Sequence, residues 1–234
     1  MARHRVIKPE WLDILPPGDP RAMASRRDLR LINSMMRHRQ FFARTLPSHF
    51  TIQPPKRLVE IGSGDGFFLL TLARRLVHYW PDIEVTLVDL QPVVGADTLQ
   101  ALSALGWAVR VEATDVFEWA TRPETCDIVI ANLFLHHFHD NRLKSLFQQI
   151  STRTQVFAAC EPRRCSEALM ASRLLGLIGC NDVTRHDGRA SVEAGFNGNE
   201  LSSLWPSNTG WRLDETRTGL FSHSFVASRA RRTG

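Results

Sequence analysis

Between residues 56 and 161 the chain alternates short apolar runs with amphipathic stretches, and few folds accommodate that alternation. The runs are "RLVEI" (57–61), "EVTLVDL" (84–90), "AVRVEA" (108–113), "CDIVIAN" (126–132) and "QVFAACE" (155–161). Helix candidates fall between them at 67–79, 97–105, 116–120 and 140–150. Strands that are apolar nearly throughout must be covered on both faces, which predicts an α/β fold around a parallel sheet. Sheets of this kind bind ligands at the carboxyl ends of their strands, beside the point where the strand order reverses.

The flanks read differently. "PPGDP" (16–20) is a turn signal, and a helix is expected from about Ser25 to Leu46, with Leu29, Ile32, Met35, Met36, Phe41 and Phe42 at roughly helical spacing. Pro54 and Pro55 end that segment, so residues 1–53 are expected to form an N-terminal helical cap on a domain spanning 54–234. Beyond a helix at 166–177, the polar, glycine-punctuated stretch at about 178–208 reads as an irregular insertion on the substrate side. "WRLDETR" (211–217) and "GLFSHSFVASR" (219–229) then form two strands joined by a short turn.

Composition narrows the functional classes. Hydrophobic content of 43% and charged content of 23% are those of a soluble globular chain, and no apolar stretch approaches a membrane span. The N-terminus lacks the apolar core of a signal peptide, so a cytoplasmic location is expected. A net charge of +5 invites nucleic acid as a partner. The arginines are scattered, however, apart from a cluster at Arg21 to Arg44 and a "RARR" tail at 229–232, and aromatic residues do not alternate with a basic stripe. The four cysteines show no metal-ligand spacing, so neither a zinc site nor a disulfide is expected.

The chemistry begins at "LVEIGSGDGFF" (58–68), three glycines in five residues between a strand and a helix. Glycine permits positive φ and close approach of a ligand to the backbone. A phosphate loop is excluded, because no Lys-Ser/Thr follows; a dinucleotide fingerprint is excluded by the Gly62, Gly64, Gly66 spacing. Glu60, at the end of the first strand, sits poorly beside a pyrophosphate and suits an ammonium group. Asp89 ends the second strand, where a carboxylate can accept both hydroxyls of a ribose. Asp115 follows the third strand, able either to accept from an adenine amine or to cap the short helix after it. Asn132 and Leu133 follow the fourth.

These features in this order resemble the class I S-adenosylmethionine (SAM)-dependent methyltransferases, whose acidic-x-Gly-x-Gly-x-Gly motif is matched by "EIGSGDG". The resemblance covers residues 56–161. It implies a Rossmann-like sheet of seven mostly parallel strands with helices on both faces and the last strand antiparallel. It implies SAM as cofactor and S-adenosylhomocysteine (SAH) as product, with Gly62 and Gly64 along the methionine part and Asp89 on the ribose. The expected cofactor set is Glu60, Gly62, Ser63, Gly64, Gly66, Asp89, Leu90, Asp115, Val116, Asn132 and Leu133.

The acceptor is less constrained. "ANLFLHHF" stands where base-amino methyltransferases carry an Asn/Asp-Pro-Pro-aromatic stretch, so a small molecule is favoured. "LHHF" and "CEP" resemble small-molecule methyltransferases, and the 181–201 region resembles methyltransferase-domain proteins of bacterial polyketide-type pathways, which implies an aromatic or polyketide-like hydroxyl. An oxygen acceptor of high pKa needs a base, and His136, His137 and His186 are the candidates. Two alternatives stay open: an RNA or DNA methyltransferase using the basic N-terminal helix, and a SAM-binding protein without transfer activity. The chain is expected to act as a monomer or homodimer.

Overall fold

The computed structural model describes residues 4–207 and 210–230, so Arg231 and Arg232 of the basic tail, the first three residues of the expected cap and position 208 of the expected insertion lie outside the described residues. The five apolar runs form β1 (Arg57–Ile61), β2 (Glu84–Asp89), β3 (Ala108–Ala113), β4 (Ile128–Asn132) and β5 (Val156–Pro162), and the chain ends with β6 (Trp211–Thr218) and β7 (Ser222–Arg229). They make one seven-stranded sheet in the order β3-β2-β1-β4-β5-β7-β6. The first five are parallel, and β7 runs antiparallel to both β5 and β6. The strand order reverses between β1 and β4, where Ile61 lies opposite Ala131.

Helices α1 (Trp11–Ile14), α2 (Pro20–Met36) and α3 (His38–Thr45) precede the sheet. Helices α4 (Phe67–Leu76), α5 (Ala96–Ala104), α6 (Val116–Ala120) and α7 (Asp140–Arg153) connect its parallel strands. Helices α8 (Ser166–Arg173), α9 (Asp182–Ala194) and α10 (Glu200–Leu204) lie between β5 and β6. Side chains alternate along each strand, so the sheet has a core on either face. Val59, Ile61, Val129 and Ala131 pack with Leu143, Phe147 and Ile150 of α7 on one face. Leu58, Ile128 and Ile130 pack with Leu69, Leu72 and Leu76 of α4 on the other. Phe42 and Leu46, both fully buried, belong to that second core.

Two expectations are corrected. The helix expected from Ser25 to Leu46 begins at Pro20, where Asp19 accepts from Arg21 N (2.7 Å), and it breaks at Arg37, whose left-handed conformation (φ 60°) ends α2 and starts α3. The stretch expected to be irregular contains α9, capped by Asn181 Oδ1 accepting from Thr184 N (2.9 Å). Gly188 weakened the helical signal there. Its lack of a side chain is used in packing, since a Cβ would come within 2.9 Å of Leu175 Cδ1 in the 3₁₀ turn Leu175–Ile178.

Candidate active site

At the reversal of strand order, β1 runs into the glycine turn. Gly62, Gly64 and Gly66 all have positive φ. Gly62 is also sterically required, because a Cβ there would overlap the Phe134 ring and lie 2.8 Å from Phe134 Cβ. Asp89 braces the turn: its Oδ2 accepts from Gly64 N and its Oδ1 from Gln91 N, both at 2.8 Å.

The turn opens into a cavity of about 790 Å³ at the carboxyl end of the sheet, walled on the far side by α2, α8 and α9. Every expected cofactor residue except Gly66 lines it. Gly66 instead begins α4 and packs near Leu87, Val94 and Thr98. Leu90 stands exposed at the rim, and Val116 is buried. Asp115 caps α6 through Phe117 N (2.8 Å) and still faces the cavity, so its two possible roles coexist. Asn132 Oδ1 accepts from His38 Nδ1 (2.6 Å), while His38 Nε2 accepts from the Ser222 hydroxyl (2.7 Å). Burial, outweighing the bond to Asn132, lowers the His38 pKa to about 4, so the ring is neutral as this pattern requires. Leu133 holds a positive φ (55°), a conformation that side chains other than glycine adopt at a cost and that clusters at functional sites.

Unpaired polar atoms test whether the cavity suits SAM. Among the described residues, five buried side-chain polar atoms have no hydrogen-bond partner, and four of them belong to cavity-lining residues: Glu60 Oε2, Ser63 Oγ, Asn33 Oδ1 and Arg39 Nε. Native structures leave few such atoms unpaired without reason. Burial, then the charges of Asp65 and Asp89, push the Glu60 carboxyl well above its usual range. A buried acid and a half-buried arginine whose Nε has no partner match a ligand carrying both an ammonium and a carboxylate, and Asp89 retains lone pairs for a ribose. The donor set fits SAM.

Two of the three candidate histidines, His136 and His137, line the same cavity. "LHH" (135–137) is a 3₁₀ turn hung on Glu161, the fully buried acid of "CEP". Glu161 Oε1 accepts from Phe134 N (3.0 Å) and Leu135 N (2.9 Å), and Oε2 from His136 Nδ1 (2.7 Å). His136 Nε2 donates to Glu10 Oε1 (3.3 Å). Burial opposes the charged ring, but the hydrogen bonds and charges of Glu10 and Glu161 prevail and raise its pKa to about 9. Both nitrogens of His136 are therefore committed to carboxylates, contrary to the neutral base the sequence suggested. His137 is half-buried, faces the cavity, and has Asp13 Oδ2 3.4 Å from its Nδ1. His186 does not line the cavity; it stacks on Trp11 (centroids 4.0 Å apart) and pairs with Asp187 (2.8 Å). Met35 and Met36 line the cavity, whereas Phe42 is core, so the N-terminal helices contribute both to the cavity wall and to the core.

Sequence reasoning did not single out Glu10, Asp13, Asn33, His38, Arg39 or Glu161 as site residues. Glu161 carried the same signal as Asp89, an acid ending an apolar strand. The others lie in the N-terminal segment, where no local pattern marks them.

Residues 58–155, from within β1 to the residue before β5, match a family model described as a methyltransferase domain. The fold is similar to that of the plantazolicin methyltransferase BpumL in complex with a triazolic desmethylPZN analog and SAH, with 11% identity, 91% of this chain and 92% of that chain covered, and a TM-score of 0.65. It is similar to the pyocyanin biosynthetic protein PhzM, with 17% identity, 94% of this chain and 61% of that one covered, and a TM-score of 0.58. Magnesium protoporphyrin IX methyltransferase (ChlM) from Synechocystis PCC 6803 with bound SAH gives 14% identity, coverage of 87% and 86%, and a TM-score of 0.53. A search of curated proteins finds no significant match. Among the described residues no helix is long and apolar enough to cross a membrane.

Proposed function

We propose that this chain, a class I SAM-dependent methyltransferase by its fold and its methyltransferase domain, moves the methyl group to a hydroxyl of a small, largely apolar acceptor. The observation that carries the reading is the shared cavity, which the glycine turn with the unpaired Glu60, the histidine turn, and apolar Leu29, Ile32, Met36 and Phe138 all line. When bound, SAM supplies an electrophilic methyl group on a sulfonium that leaves as a neutral thioether.

The chain's own work is then placement, exclusion of water and removal of one proton. Glu60, Asp89 and Asp115 hold the cofactor. Asn132, fixed by His38, shapes the crevice floor. His137 takes the acceptor's hydroxyl proton, with the Asp13 carboxylate 3.4 Å from its Nδ1. His136 is the positioning residue that ties the turn to the N-terminal segment. BpumL and ChlM, whose names call them methyltransferases of plantazolicin and of magnesium protoporphyrin IX, support a non-nucleic-acid acceptor.

The test is SAH formation with purified protein, SAM and a panel of phenols and other hydroxylated ring compounds, beside calorimetric titration with SAM. Wild type is expected to bind SAM and turn over at least one phenol; Asp89→Ala loses SAM binding, and His137→Ala keeps it while turnover falls about 10²–10⁴-fold, the usual contribution of a general base. Turnover only with a nucleic acid, or unchanged turnover in His137→Ala, overturns the reading.

A further inference from the structure

The segment before α1 runs along α9 and is fastened to it. Val6 N donates to Glu193 O (3.0 Å), and the Asp187 carboxylate accepts from Trp11 N (2.8 Å) and Leu12 N (2.9 Å). This course carries Glu10 to the histidine turn, 126 residues away. One ligand atom from each of Glu10, His136 and His137 then lies within 4.8 Å of the other two. His136 Nε2 and Glu10 Oε1 are 3.3 Å apart. Two ligands about 2.0–2.1 Å from one tetrahedral zinc are separated by roughly that distance, about 3.3–3.4 Å.

The surroundings are those of a metal site. Protein metal ligands are held by outer hydrogen bonds, most often a carboxylate on the far nitrogen of a histidine. Glu161 fills that role on His136 Nδ1 at 2.7 Å and is itself fixed by backbone N–H groups of the same turn. Ser191 donates its hydroxyl to Glu10, and Asp13 sits beside His137. Three carboxylates thus converge on two imidazoles, and Arg5, which packs under the same turn, spends its charge on Asp140 (2.5 Å). All three ligand candidates line the cavity. Three protein ligands with one side open to a cavity is the arrangement of a reactive rather than a structural zinc. Two imidazoles and one carboxylate suit zinc or cobalt, not magnesium or calcium, which take oxygen ligands.

We propose that Glu10, His136 and His137 form a three-ligand site for a divalent transition-metal cation, zinc by ligand type, with its remaining position open to the acceptor cavity. The cation replaces the proton shared between His136 Nε2 and Glu10. A role for it in transfer rests on the functional reading above: a coordinated acceptor hydroxyl would release its proton to water, the cation doing what His137 does in the metal-free protein. The site itself does not depend on that role.

Cobalt gives a readout independent of activity, because four- and five-coordinate Co²⁺ absorbs strongly in the visible. Chelator-treated full-length protein without an affinity tag is titrated with Co²⁺, then with Zn²⁺. The expected result is one Co²⁺ per chain with a visible band that Zn²⁺ bleaches, and at least about 10-fold weaker binding in both Glu10→Gln and His137→Ala. These two variants spare the buried His136, and calorimetric SAM binding in each verifies the fold. No visible band, or a band unchanged in both variants, overturns the site. A band that behaves as expected in a protein without methyl transfer would leave the metal site standing and the functional reading fallen.

Discussion

Glu60→Gln should move two measurements in opposite directions. Glu60 is 1% exposed, its Oε2 has no partner, and Asp65 and Asp89 add like charge nearby. Its pKa in the folded chain lies above its unfolded value. The stability it allows is therefore present in acid and is lost as pH rises above the unfolded value and through the folded one. Glutamine keeps the shape and removes that titration. Without SAM, Glu60→Gln should melt at or above the wild-type temperature at pH 8, with a smaller advantage at pH 5. With SAM the sign reverses. A hydrogen bond from an ammonium to a charged partner contributes about 1.5–3 kcal/mol, so losing it should weaken SAM binding roughly 10- to 150-fold. Thermal melts at the two pH values and calorimetry at pH 8 suffice. A variant that binds SAM as tightly as wild type, or whose stability advantage does not grow with pH, would refute this role for Glu60.

Three further outcomes are expected. Gly62→Ala places a Cβ against Phe134 at a φ of 70°, while Phe134 N is pinned to Glu161; the left-handed conformation alone costs about 1–2 kcal/mol, so a lowered melting temperature and loss of SAM binding should both be measured. His38 has its pKa lowered to about 4, so the unfolded chain takes up a proton before the folded one does between about pH 6.5 and 4. Its contribution is present above that window and lost within it at about 1.4 kcal/mol per pH unit, and urea melts of His38→Gln should show a shallower acid slope than wild type. Phe42→Ala should cost about 3–5 kcal/mol in global unfolding, read as a shifted denaturant midpoint of the whole chain; a separate early transition for the N-terminal helices, with the main midpoint unmoved, would mean they fold apart from the sheet.

The part of the candidate site proposed to hold SAM was legible as a cluster because local chain geometry brings it together. Glu60, the glycines, Asp89, Asp115 and Asn132 each sit where a β-strand ends, and a parallel sheet brings strand ends together whatever else the chain does. The part proposed to receive the acceptor has no such rule. His38 meets Asn132 across 94 residues and Ser222 across 184, and Glu10 meets His136 across 126. No periodicity encodes those distances. Even α9 was hidden, because a glycine needed for packing against Leu175 weakened its helical signal.

The same division explains why the first 50 residues cannot be treated as an ornament on the sheet. Phe42 and Leu46 fill the core under α4, while His38, between them and the cavity, fixes Asn132 at the end of β4. Asn33 and Arg39, on either side of His38, each give the cavity wall an unpaired polar atom, and Glu10, farther toward the N-terminus, closes on the histidine turn. A single continuous segment therefore touches the core, the cavity wall and the histidine turn. Loosening the Asp187 carboxylate that holds Trp11 and Leu12 should consequently disturb acceptor binding before it disturbs SAM binding, since the glycine turn is braced separately by Asp89.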